Sequence, residues 1–193
     1  MQRRAVIAVG LLGAALPFAA FAKSPRWRTL FDGRSLDGWS PLGDANWALR
    51  DGVVQADNGK TGFLVSDETF GDVDIRAEFW VTDDANSGIF IRCTNPLKIG
   101  TVSGYEVNIY DQRPDPTYGT GAIVGVAQVS PMPKAGGRWN VMEISAKGDR
   151  FTVSINGRRT VDNVQNADFA HGRIALQYGL GVVKFRKVQV RAI

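Results

Sequence analysis

The chain has 193 residues, 44% hydrophobic, 22% charged and 10% aromatic, a balance that excludes a disordered tail, a collagen-like fibre and a multi-span membrane protein. Twenty-three lysines and arginines stand against 19 aspartates and glutamates, and no basic run is interleaved with aromatics, which argues against nucleic acid as a partner. The single cysteine, Cys93, excludes an intramolecular disulfide, and the single histidine, His171, leaves a histidine-based zinc site or a Ser-His-Asp triad resting on one residue.

The first element is a leader. Met1 to Ala22 opens on Gln2-Arg3-Arg4, runs uncharged from Ala5 to Phe21 and closes on Ala20-Phe21-Ala22, the small-x-small exit that a signal peptidase accepts before Lys23. Residues 1–22 are therefore expected to be a signal peptide, residues 23–193 a single exported domain, and the location the periplasm or the medium, with no membrane span after cleavage. Loss of Arg3 and Arg4 leaves 21 basic against 19 acidic residues, a net charge of +2.

Short strands and tight turns follow. Strands are predicted at 47–50, 53–56, 62–65, 74–81, 87–93, 105–110, 122–126, 139–146, 151–155, 158–161, 172–177 and 182–192. In 74–81, Ile75, Ala77, Phe79 and Val81 alternate with Asp74, Arg76, Glu78 and Trp80, the pattern of a half-buried strand. Asn156-Gly157 is a strong hairpin signal, and Phe185 and Val188 break parity, which implies a bulge or burial on both sides. No segment holds an apolar helical period for more than two turns. The predicted class is all-β, a two-sheet antiparallel jelly-roll sandwich with long Pro- and Gly-rich loops at 94–103, 112–121 and 130–138.

Strand 105–110 carries the chemistry. Tyr105, Val107 and Ile109 share one face; Glu106, Asn108 and Tyr110 share the other. Arg92, Gln177 and Arg186 end or interrupt other apolar strands in the same way, so the residues fit either a solvated face or one sheet face lined for a polyhydroxylated ligand. Ordinary glycosidases need two carboxyl groups about 5–5.5 Å or about 6.5–9.5 Å apart. The alternate positions after Glu106 are Asn108 and Tyr110. The next acid, Asp111, is of opposite parity and about 16 Å away along a straight strand. Conventional double-displacement hydrolysis is disfavoured.

Leu30-Phe31-Asp32-Gly33-Arg34-Ser35-Leu36-Asp37-Gly38-Trp39 resembles the opening motif of the 3-keto-disaccharide hydrolase, or 3-keto-glucoside lyase/hydratase, family. The likeness continues through Asn86-Ser87-Gly88-Ile89-Phe90-Ile91-Arg92, Gly104-Tyr105-Glu106-Val107-Asn108-Ile109-Tyr110-Asp111, Ile174-Ala175-Leu176-Gln177 and Phe185-Arg186-Lys187-Val188. The family is similar in fold to concanavalin A-like lectins and glucanases. Three departures stand out. Asn108 replaces a frequent glutamine, Val124 replaces a tyrosine that Tyr118 could substitute, and Tyr178-Gly179-Leu180 stands where relatives often carry Asp-His-Gly.

The resemblance implies chemistry on sugars oxidised at C3, where the ketone acidifies the C2 proton and the glycosidic bond leaves by elimination, followed by hydration. Such a route needs one base and an enolate stabiliser rather than two close carboxylates. Under the resemblance Glu106 is the candidate base or acid, and Arg92 and Arg186 are candidates to hold the enediolate, with a divalent ion as the one cofactor that could assist. Asn86, Asn108, Tyr110, Asp111, Tyr118 and Gln177 are candidates to bind substrate. The expected partner is a 3-keto sugar or another oligosaccharide. Two further classes stay open from the residues alone: a sugar-binding module without turnover, and a domain that binds another exported protein through its loops.

Overall fold

The structure is a computed structural model that describes residues 26–193; the leader expected at 1–22 lies outside the described residues. Thirteen strands follow in chain order: β1 (Arg28–Phe31), β2 (Trp39–Gly43), β3 (Ala48–Arg50), β4 (Val53–Ala56), β5 (Gly62–Phe70), β6 (Val73–Val81), β7 (Asn86–Cys93), β8 (Tyr105–Ile109), β9 (Trp139–Lys147), β10 (Arg150–Ile155), β11 (Arg158–Gln165), β12 (Gly172–Leu180) and β13 (Val183–Ala192). A 3-10 turn, Pro116–Tyr118, is the only helical piece among the described residues. All pairings are antiparallel. The larger sheet runs β11-β10-β9-β6-β13-β4-β3, with β1 also on β13, and the smaller runs β2-β5-β12-β7-β8. This is the two-sheet sandwich predicted from periodicity.

Alternation decides which residues fill the space between the sheets. From β6, Ile75, Ala77 and Phe79 are fully buried while Asp74, Arg76, Glu78 and Trp80 are half-buried, as predicted. They meet Ile144, Phe151, Phe185 and Val188 of the same sheet and Leu64, Ile89, Ile91, Val107 and Ile174 of the other. Asn156 and Gly157 both hold positive φ (51° and 77°), the twist a two-residue hairpin needs. The bulge expected in β13 is a register shift between Phe185 and Lys187.

Two strands escaped prediction, β1 and β2. The four residues of β1 have no alternation, and β2 contains Pro41, which cannot donate to a ladder and is tolerated because β2 is an edge strand. Conversely, the strand predicted at 122–126 is irregular backbone held by single bridges, Val107 to Ile123 and Ile123 to Ala127. It nonetheless pairs along β8: Asn108 N donates to Ala122 O (3.0 Å), Gly121 N to Asn108 O (2.8 Å) and Val124 N to Glu106 O (3.0 Å).

Strict alternation from Phe90 would set Arg92 on the outer face of the smaller sheet. Instead the register shifts between β7 and β12, from Phe90–Ala175 to Cys93–Arg173, and Arg92 adopts φ 52°. Its side chain, 2% exposed, turns inward. There Nη1 donates to Gly148 O (2.7 Å) and Phe169 O (3.1 Å), Nε and Nη2 reach Gly71 O (3.3 Å), Nη2 pairs with Asp72 (3.3 Å), and the guanidinium lies over the Phe151 ring. Arg186 sits on the outer face of the larger sheet, paired with Glu78 at 2.5 Å and stacked on Trp139. Neither arginine can hold an enediolate beside Glu106, which corrects that expectation: a bulge redirects the first, and sheet membership separates the second.

The two arginines differ in what they support. Arg92→Ala removes a buried cation and orphans carbonyls of three turns, so it should cost about 3 kcal/mol or more. Arg186→Gln breaks a half-exposed pair and should cost less than about 1 kcal/mol. Urea unfolding of the two variants checks the contrast.

Candidate active site

The outer face of the smaller sheet is built from registered rows. One row, across the strands, reads Leu42, Phe63, Gln177, Gly88, Asn108; the next reads Ser40, Val65, Ala175, Phe90, Glu106. Phe63, Val65, Phe90, Cys93 and Ala175 form a hydrophobic cluster separate from the inter-sheet core, with Leu42 and Ile99 packed against it. One half of the face is therefore apolar, with Phe63 and Phe90 edge to face at 5.5 Å, and the other half is polar.

Glu106 sits in the polar half, 9% exposed, with the larger part of its surroundings unable to solvate a charge. Burial pushes its carboxyl up to about 7, and Arg113 pulls weakly the other way. Asn108 is wholly buried. Its Nδ2 donates to Tyr118 O at 2.7 Å, which fixes the amide orientation and leaves Oδ1 without a partner. Gln177 Oε1 is likewise buried and unpartnered. Buried acceptors without donors are costly and rare, so two of them beside one near-neutral carboxyl make this face the candidate site for a hydroxyl-bearing ligand.

The floor between these groups is bare because Gly88 occupies it. A Cβ there would stand 3.3 Å from Gln177 Oε1, 3.3 Å from Glu106 Cγ and 3.2 Å from Val107 O. Farther along β12, Gly179 also faces out; a Cβ on it would meet Asn86 O at 3.0 Å and Asn86 Nδ2 at 3.2 Å. Gly179 stands where the resemblance placed a histidine, so here Asn86 and open space take the room of an imidazole.

Of the residues expected to bind substrate, Asn86, Asn108 and Gln177 share this face with Glu106. Tyr110, half-buried, follows at the end of β8 with its backbone N–H donating to Thr120 Oγ1 at 2.9 Å. Tyr118 contributes the carbonyl that orients Asn108. Asp111 does not serve a ligand: its carboxylate accepts from Thr120 Oγ1 (2.6 Å), Ala135 N (2.8 Å) and Gly136 N (3.0 Å), tying three loop segments together. It is also unable to act as a second catalytic acid.

Two features of the site were missed in the sequence. Arg113, in the loop after β8, is the cation whose charge acts on Glu106, and nothing in its spacing marks it. Gly88 could have been found, since a glycine inside an apolar strand often signals close approach of another group.

The donor set also bears on a metal. Among the described residues no three His, Cys, Asp or Glu side chains gather as a metal site, and His171 is exposed at the start of β12. One carboxylate and two amide oxygens do not make a tetrahedral zinc site and would hold a hard cation only with several waters.

Solved structures of similar fold include carbohydrate-binding and carbohydrate-cleaving proteins. A protein of Parabacteroides distasonis ATCC 8503, described as a candidate glycosyl hydrolase, superposes with a TM-score of 0.71 at 21% identity, over 87% of this chain and 100% of that one. The carbohydrate binding module CBM66 of Bacillus subtilis gives 0.65 at 17%, over 80% and 96%. Porphyranase B of Zobellia galactanivorans gives 0.60 at 12%, over 91% and 98%. Among curated protein sequences, none matches. The 3-keto-alpha-glucoside-1,2-lyase-like domain matches residues 26–191, which is nearly every described residue and both sheets of the sandwich. The chain is a member of that family.

Proposed function

We propose that the protein is an exported enzyme that cleaves 3-keto-glycosides by abstraction of the C2 proton and elimination, with hydration of the product as the return half. The observation that carries this reading is a single buried carboxyl, Glu106, held near pKa 7 opposite two unpartnered amide oxygens, with Asp111, the next acid along the chain, committed to Thr120, Ala135 and Gly136. A base with that pKa is half ionised at neutral pH, where proton transfer is most effective.

In the forward direction ionised Glu106 takes the C2 proton, and the electrons of that C–H bond form the enolate, its charge on the C3 oxygen. Arg113 supplies the nearby positive charge. Collapse of the enolate restores the C3 carbonyl, forms the C1–C2 double bond and expels the glycosidic oxygen, which takes back the proton now on Glu106. One carboxyl thus handles both proton transfers. In hydration, water adds at C1, its surplus proton passing to the Glu106 carboxylate while C2 receives one from the same group in sequence. Asn108 Oδ1 and Gln177 Oε1 accept from sugar hydroxyls, and Phe63 and Phe90 shield one side from water.

A second reading has its own observation. Gly179 replaces the histidine of relatives, and the same face would then hold a glycan without turnover. The two readings part on one variant. Glu106→Gln should lower kcat on a 3-keto-glucoside by about 10²-fold or more while leaving affinity within a few-fold; a protein with no turnover in either form is a binding module. For the enzyme, kcat/KM should rise with pH and level above about 7, because only the carboxylate can act as base.

The same titration affects folding. Glu106 has an ordinary pKa of 4.5 and a folded value of about 7, so between these limits the folded chain keeps a proton that the unfolded chain has released. Stability should fall as pH rises through that window, by about 3 kcal/mol for this group, and Glu106→Gln should remove that part of the slope in urea titrations at successive pH values. Gly88→Ala should fold, its φ being ordinary, yet raise KM by crowding Glu106 and Gln177. Export is part of the proposal: protein recovered from the envelope or medium should begin at Lys23 by N-terminal sequencing, and a chain retaining Met1 overturns it.

A further inference from the structure

The row that contains the site continues past it. From Asn108 and Gly88 it passes Gln177 and Phe63 and ends on Leu42. Leu42 is two strand spacings from Gln177, about 10 Å. There the face opens into a hollow of about 210 Å³ walled by Pro41, Leu42, Val65, Pro96 and Leu97, with Ser40 and Arg173 at its polar side. Cavities of about 150 Å³ with apolar walls hold a benzene ring. This one takes a single aromatic ring with a small substituent.

Two observations specify the occupant further. Leu97 is 81% exposed, the most exposed large hydrophobic side chain among the described residues, and it stands on the rim of an apolar hollow rather than alone. A flat apolar group lodged there removes it from water. Arg173 is the one charged wall. Its Nη1 donates to Ser66 O at 2.9 Å and lies 3.7 Å from Asp67, so the guanidinium is held in place on one side with most of its N–H groups uncommitted. Fixed guanidinium planes stack on aromatic faces and donate to phenolic oxygens.

The geometry points to an aglycone subsite: the hollow at Leu42, Leu97 and Arg173 binds the aryl group of a phenolic glycoside whose sugar lies over Gly88. This rests on the lyase reading for the sugar end and extends it to the leaving group, which becomes a phenol rather than a second sugar. Val65, the near wall of the hollow, stands two strand spacings, about 10 Å, across the sheet from β7, which carries Gly88, so an aryl group bonded through the glycosidic oxygen of a pyranose over Gly88 extends toward the hollow.

The test compares phenyl and methyl 3-keto-glucosides, with kcat and KM measured separately, in the wild-type chain and in Leu97→Ser and Arg173→Gln. The phenyl glycoside should have a KM at least tenfold below that of the methyl glycoside. Leu97→Ser should close the gap to within threefold, and Arg173→Gln should narrow it. Leu97 is exposed enough that its replacement leaves folding intact. Equal KM values in the wild-type chain, or a gap that survives Leu97→Ser, overturn the subsite while leaving the lyase reading standing. If neither glycoside turns over, the lyase reading falls, and titration with phenol itself decides the hollow. Shifts in the Leu42, Val65 and Leu97 methyl resonances that disappear in the serine variant support it, and unmoved resonances overturn it.

Discussion

One guanidinium closes the sandwich at one end. Arg92 enters from the smaller sheet and bonds the carbonyls of Gly71 before β6, Gly148 in the β9–β10 turn and Phe169 before β12, so segments of both sheets meet on one charge. Burial alone would expel it; desolvation lowers its pKa, and the charges of Asp72 and Tyr105 act only partly against that, while the carbonyls supply the hydrogen bonds that hold it. The backbone distortion that turns Arg92 inward also turns Cys93 outward, into the apolar cluster with Phe63 and Phe90. The interior and the functional face are thus set by the same local break in alternation.

The functional face itself works through a contrast of environments. Along β13 and β6, half-buried charges are paired: Arg76 with Glu143, Arg186 with Glu78, Arg191 with Asp74. Along β8 and β12 the polar groups are buried and left open. The first arrangement pairs these charges with one another and asks nothing of a ligand; the second leaves acceptors open to an incoming donor. Two glycines keep that second region hollow.

Much of this was legible in the chain. Alternation located most strands within a few residues, and the parity break at Phe185 and Val188 announced a real register shift. Glu106, Asn108 and Gln177 could be placed on one face because β8 and the outer part of β12 keep strict alternation. Arg92 could not, since a bulge reverses parity and leaves no composition signal. Arg186 has the right chemistry, but which of two sheets a strand joins depends on long-range pairing that periodicity does not encode. Asp111 was a site candidate because it closes the Gly104–Asp111 block that carries the family resemblance; its partners Ala135 and Gly136 lie over twenty residues on. Arg113 was invisible for the complementary reason: loop conformation, not spacing, brings it near Glu106.

The segment running beside β8 has a consequence for assembly. Gly121, Ala122 and Val124 bond the outer backbone of β8, so the strand that bears Glu106 offers no free ladder to another chain. The smaller sheet's remaining edge is β2, where Pro41 interrupts the donors, and one edge of the larger is β11, crowded with Arg158, Arg159 and Asp162. Growth of the sheet by strand addition is thereby discouraged at each of these borders, including the one that carries Glu106.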